Sequence, residues 1–160
     1  LTAMILAAVL KPLLETVNVV SAPQLAKARG IAVSETRAAE SDFHTAIKVT
    51  VTTEQRTRDV TGTLFAGKEP RIVSLESVPI EAAMEGHMLF IRNEDKPGMI
   101  GGIGKLLGDS KVNISDFRLG RKSKDGDAIC IISVDEKISD DLFEKISKLE
   151  QIRSVNRLRF

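Results

Sequence analysis

The sequence predicts an α+β chain of two small domains, and three observations lead there. Period-2 alternation and 3.6-residue periodicity succeed one another along the 160 residues, with neither dominating. From residue 87 onward the signals run strand, helix, strand, strand, helix, strand. The turn-forming stretch Glu85-Gly86-His87 separates that block from an earlier run of helical pieces and short strands. The boundaries therefore fall at 1–85, an α/β domain with a mixed sheet, and 86–160, a βαββαβ domain. Units of about 80 residues bury a smaller share of their surface than one of 160, so domains of this size usually dock on each other or on a second chain.

Taken in order, residues 2–17 place Ile5, Val9, Leu13 and Leu14 near one helical stripe, with Pro12 as a kink or a boundary. A short helix is predicted over 22–29, with Pro23 in its first turn and Gly30 as its stop. Strands are predicted next at 31–37, 46–52, 60–65, 71–75 and 78–82. Residues 53–59 read as a hairpin loop and 67–70 as a turn. In the second domain, 87–92, 112–119, 128–134 and 154–160 read as strands. Met99, Ile100, Ile103, Leu106 and Leu107 give 97–108 a helical face. Ser139 caps a helix that carries Leu142, Phe143, Ile146 and Leu149, with Asp140 and Asp141 at its positive end. The order is that of a split βαβ, ferredoxin-like unit.

Composition narrows the function. With 23 basic and 22 acidic residues the net charge is +1, so no basic field attracts nucleic acid or an anionic membrane. Six Phe without Tyr or Trp make a poor base-stacking surface. One cysteine, Cys130, rules out an intrachain disulfide and a protein-held iron–sulfur cluster, and fits a reducing, cytoplasmic setting. The apolar run before Lys11-Pro12 is far short of the ~20 residues that span a bilayer. It opens on Leu1 inside a helical pattern, so further protein is expected upstream.

The stretch that carries chemistry is Arg92-Asn93-Glu94-Asp95-Lys96-Pro97-Gly98, with Asn113 fifteen residues after Gly98. Pro97 fits the first helical position, with Asp95 as cap or outward-facing carboxylate. Gly98, Met99 and Ile100 then offer backbone N–H groups at a positive helix end, where a carboxylate binds. Asn93, Asp95 and Asn113 supply acceptors for an ammonium group. A βαβ path is expected to bring Asn113 beside the loop. Together these groups suit a free α-amino acid, although a plain capped helix after a tight loop explains the same residues.

Residues 93–101 with Val112-Asn113-Ile114 resemble the ACT-domain signature. That resemblance implies an effector amino acid bound between two facing copies, at positions that map onto Asn93, Asp95, Asn113 and the backbone of Gly98, Met99 and Ile100. Residues 17–23, 28–31, 62–65 and 71–73 are similar to the intervening, or allosteric substrate-binding, domain of bacterial phosphoglycerate dehydrogenases. The chain thus resembles their C-terminal regulatory part. This resemblance implies feedback inhibition of serine biosynthesis by L-serine and a homo-oligomer (dimer or tetramer) joined through ACT domains. It also implies an NAD-dependent catalytic region elsewhere, the fragment itself being non-catalytic. Some relatives bind an anion in the first domain; Arg71 falls at one such position, while Ala83 and Ser133 fall at two others. The alternative is the ACT-containing part of an iron–sulfur L-serine dehydratase.

Other signals carry less. Leu106 follows Gly104-Lys105 where a phosphate loop needs Ser or Thr, and Leu107 stands where a dinucleotide fingerprint needs Gly. The α-helical glycines 101, 102 and 104 instead allow close backbone approach. His44 and His87 are too scattered for a metal site, Lys122-Ser123-Lys124 reads as a solvated turn, and Cys130 reads as a buried small hydrophobe. An RNA-binding ferredoxin-like domain would need an aromatic strand that 128–134 lacks.

Overall fold

In a computed structural model of the chain, residues 1–37, 43, 45–121, 123 and 126–160 are described; His44, Lys122 and Lys124 lie outside them. The chain forms two compact units, Leu1–Ser41 and Asp42–Phe160.

The first unit is a helical hairpin. Helix α1 (Thr2–Leu10) stops at its C-cap Lys11 rather than running to residue 17, because Pro12 has no N–H to continue the ladder. Helix α2 (Ala22–Ala28) begins at a reciprocal turn. Asn18 Oδ1 accepts the N–H groups of Val20 and Ser21, each at 2.9 Å, while Ser21 Oγ accepts from Asn18 N–H at 3.1 Å. Gly30, at φ +68°, ends it as expected. Leu10, Ala22 and Ala26 are the buried contacts between the helices. Residues 31–37, expected as a strand, form none. Ile31 and Val33 line an apolar groove with Leu6 of α1 and Pro23 of α2, and both side chains remain exposed.

The second unit holds two four-stranded sheets. Strands β1 (Ala46–Thr52), β2 (Thr57–Phe65), β3 (Glu69–Leu75) and β4 (Val78–Ala83) form a meander in the order β1-β2-β3-β4. It is antiparallel throughout, not mixed, since its connections are far too short for a parallel crossover. The β1–β2 loop shrinks to residues 53–56. The other sheet is the βαββαβ unit: β5 (His87–Glu94), α3 (Met99–Asp109), β6 (Ile114–Arg121), β7 (Asp127–Val134), α4 (Asp140–Ser147) and β8 (Ile152–Arg159), in the order β6-β7-β5-β8. Gly86, at φ +64°, turns the chain from β4 into β5.

Alternation along β5 sorts its side chains between two cores. Leu89 and Ile91 join Met99, Ile103, Leu107, Leu142 and Ile146 beneath the helices. Met88 and Phe90 pack instead with Ile72, Val78, Ile80 and Ala82 of the meander. Burial on both faces explains why β7 reads as a nearly continuous apolar run. Where β6 passes β4, a Cβ on Gly120 would sit 2.7 Å from Val78 Cγ1 and 2.8 Å from the Pro79 carbonyl, so only glycine fits there unshifted.

Candidate functional site

Helix α3 starts on Gly98, which holds φ +92°, a conformation that only glycine adopts without strain. Gly98 is therefore the N-cap and Pro97 precedes the helix, two positions before the first helical residue that it was expected to be. No side chain caps α3, and its first turn has no acidic residue. The first-turn N–H groups, at the positive end of the helix, are left without a side-chain acceptor. Of those three residues Met99 is buried, while Gly98 is exposed and Ile100 is 50% exposed, which takes it out of the expected apolar face.

Asn93 sits beside this start, on β5, with 0% exposure. Its Nδ2 donates to the Glu94 carbonyl at 2.8 Å, and its Oδ1 is buried without a partner. An unpaired buried acceptor costs about 1–3 kcal/mol, so it marks a place where a donor is wanted. Asp95 does not cap α3. Its carboxylate accepts from Arg121 Nη1 at 2.9 Å, and its N–H donates to the Gly126 carbonyl at 2.9 Å. The adjacent Glu94 carboxyl is held below its usual range, first by the Lys96 ammonium, 2.6 Å away, and then by Arg153. Acceptors and amide donors thus meet at one loop.

Asn113 is not among them. The β5–β7 and β6–β7 registers place Ile114 opposite Val134, level with His87, whereas Asn93 is level with Ala128. Six residues of strand separate the two levels, about 20 Å at ~3.3 Å per residue. Helix α3 returns along the sheet, so the residue after it emerges at the end where β5 began; the helix direction alone carries that signal. At that far end Asn113 is fixed: its Nδ2 donates to Asp135 Oδ2 at 2.6 Å and its N–H to Glu136 Oε2 at 2.8 Å. Its Oδ1 has no partner among the described residues.

Arg71 is paired at its two terminal nitrogens, while its Nε is buried without a partner. Glu81 and Glu69 accept from its guanidinium at 2.5 and 3.1 Å, and it lies 4.6 Å over the Phe65 ring. Burial pushes the Cys130 thiol up to about 12, so it stays protonated at neutral pH. Among the described residues, no three His, Cys, Asp or Glu side chains gather as a metal site, and no helix is long and apolar enough to cross a membrane.

Comparison with known proteins gives this geometry a family. Residues 1–76 match the D-3-phosphoglycerate dehydrogenase intervening domain, and residues 87–151 match the ACT domain. The chain is an intervening domain of the D-3-phosphoglycerate dehydrogenase type followed by an ACT domain. It is 36% identical to the D-3-phosphoglycerate dehydrogenase of Bacillus subtilis over 97% of its length and 30% of that enzyme's. It is 39% identical to the Synechocystis enzyme over 87% of the chain and 25% of the relative, and 31% identical to the Methanocaldococcus jannaschii enzyme over 89% and 27%. The chain thus spans between a quarter and a third of these relatives' lengths. The intervening-domain match decides for this family over the iron–sulfur dehydratase, and Asn93, Gly98 and Asn113 all belong to the ACT domain.

Proposed function

We propose that this ACT domain binds a small amino acid, L-serine first among them, at a site completed by two copies of the chain. One copy supplies Asn93, Asp95 and the amides of Gly98, Met99 and Ile100; the other supplies Asn113. The observation that carries the reading is Asn93 Oδ1, buried and unpaired beside an uncapped helix start. An ammonium would satisfy that oxygen and lie within reach of the Asp95 carboxylate, while the α-carboxylate would take the helix amides. The distance of about 20 Å between Asn93 and Asn113 favours a shared site, since one copy alone brings only two of the three acceptors together. An antiparallel neighbour along α3 would bring its Asn113 end to this loop.

In the parent enzyme the site would serve feedback inhibition: the end product, bound at the ACT interface, restrains an NAD-dependent oxidation of 3-phosphoglycerate catalysed elsewhere in the polypeptide, in the cytoplasm. A coupling free energy of about 1–3 kcal/mol is typical of such control. The test is calorimetric titration with L-serine, glycine and L-alanine, beside sedimentation of the same samples. Saturable heat with L-serine, and a shift toward a dimer or tetramer, are expected. Heat from none of the three amino acids, in a folded and self-associated sample, defeats the reading; binding by a strict monomer defeats the shared site.

A further inference from the structure

We infer that Arg92 is a positioning residue that ties the effector loop to the four-stranded meander through its ion pair with Glu76, so that occupancy at Asn93 is felt in the β3–β4 hairpin. This rests on the effector site proposed for Asn93 and extends it to the route by which the signal leaves the ACT sheet. Arg92 precedes Asn93 on β5, so the two side chains leave opposite faces of one strand: Asn93 on the helix side, Arg92 toward the meander.

The grip on Arg92 is firm. Its Nε donates to both Glu76 carboxylate oxygens at 3.1 Å and its Nη2 also pairs with Glu76. Its Nη1 donates to Ser154 Oγ at 3.2 Å, and the guanidinium lies 4.5 Å over the Phe90 ring. The Arg92 and Glu76 side chains are only 18% and 23% exposed, so water and salt screen the pair less than a surface bridge.

The partner end is set in a turn under strain. Glu76 and Ser77 hold φ +50° and +61°, left-handed values for two residues that carry Cβ atoms, in a two-residue turn that favours Asn-Gly. Asp59 holds the turn: its carbonyl accepts Glu76 N–H at 2.8 Å, and its carboxylate accepts the Ser77 N–H at 3.2 Å and hydroxyl at 3.0 Å. Arg58 Nε reaches Glu76 Oε1 at 3.1 Å as a second cation.

The ACT end has room to move at one point. The β5–β8 register skips from Ser154 opposite Arg92 to Ile152 opposite Asn93, leaving Arg153 as a bulge. A ligand that draws on the unpaired Asn93 oxygen shifts β5 where its ladder is already interrupted. Arg92 moves with it, and because the guanidinium is held by Glu76 the strained turn must follow. An ion pair that merely glued two sheets would be indifferent to the ligand.

Hydrogen–deuterium exchange of the whole chain, with and without saturating L-serine, reads this directly. In the wild type, L-serine is expected to change exchange of the 69–83 amides severalfold. In Glu76→Gln, calorimetry should still show L-serine binding within about threefold of wild type, while 69–83 stops responding. Arg92→Met, which removes the cation on β5 and leaves Glu76 its pair with Arg58, should silence 69–83 as well, which tests the route even if Glu76→Gln folds poorly. A 69–83 response that survives in Glu76→Gln, or none in a wild type that binds L-serine, overturns the coupling and leaves the effector site standing. No binding of any amino acid by the wild type overturns the effector reading and the coupling with it.

Discussion

The two helices of the ACT domain lie over the same core yet end in opposite ways. Helix α4 has every fitting of a stable helix: Ser139 Oγ accepts from Leu142 N–H at 3.2 Å, Asp140 and Asp141 occupy its first turn, and Lys145 its last. Helix α3 has no side-chain cap, no acid in its first turn and no base in its last, and it spends four of eleven positions on glycine. Both bury their apolar stripes, Met99, Ile103 and Leu107 in one and Leu142 and Ile146 in the other. Packing therefore holds α3 where its own sequence does not. A helix that forgoes about 1 kcal/mol at its cap and about as much at each interior glycine keeps its amides and its outer face available for something else.

The largest expected effect comes at the buried oxygen beside α3. Asn93→Leu removes the unpaired acceptor while roughly keeping its volume. L-serine affinity should fall about 10–100-fold, the worth of a hydrogen bond to a charged group. Stability should fall by no more than about 1 kcal/mol, because the lost Nδ2 bond is offset by removal of a buried orphan. If thermal unfolding shows a loss of several kcal/mol while titration shows unchanged affinity, Asn93 is a structural residue and α3 resembles α4 after all.

Next come the helices themselves. Ser139→Ala should cost about 1 kcal/mol in denaturant unfolding and leave effector binding unchanged, since the cap on α4 serves stability alone. Gly104→Ala should do the reverse. A Cβ at Gly104 meets nothing within 4 Å in a single copy, so the substitution should raise stability by up to about 1 kcal/mol under conditions that keep the chain monomeric. If the α3 face packs closely on a second copy, the same methyl should weaken self-association and L-serine binding together. A variant that is more stable, equally associated and equally responsive would mean that the glycine face has no partner.

The contrast between the helices also marks how far the sequence reads. Helical spacing located α3 and α4 to within two residues, and the strand read over 87–92 is β5, which runs on to Glu94; which of its apolar side chains faces which core is not written in that run. What escaped is long-range. Neither the full burial of Asn93 nor the meeting of Arg92 with Glu76, 16 residues earlier in the chain, carries a periodic signal. Arg121 next to Asp95 joins residues 26 apart across a loop, with no periodic signal. Ile31 and Val33 alternate as a strand does, yet 31–37 form no strand and both side chains stay exposed, so the alternation marks no buried face. The position of Asn113 was legible in principle, since a helix that runs back along the sheet delivers its successor to the far end.

The smallest expected effect concerns that same Arg121, and it separates two ways of building the loop. Arg121 is 57% exposed and Asp95 20%, and they meet at 2.9 Å. Exposed pairs of this kind contribute about 0–1 kcal/mol, so the guanidinium can leave at little cost. If Asp95 is to hold the effector's ammonium, the guanidinium is a rival for the same oxygens, and Arg121→Met should tighten L-serine binding about two- to fivefold. If Arg121 instead turns to the effector's carboxylate, the same variant should weaken binding by a similar factor, with a steeper dependence of the wild type on salt. Titrations at two ionic strengths tell these apart. The sign matters more than the size: tighter binding makes α3 the carboxylate's chief anchor, and weaker binding moves that role to the tip of β6.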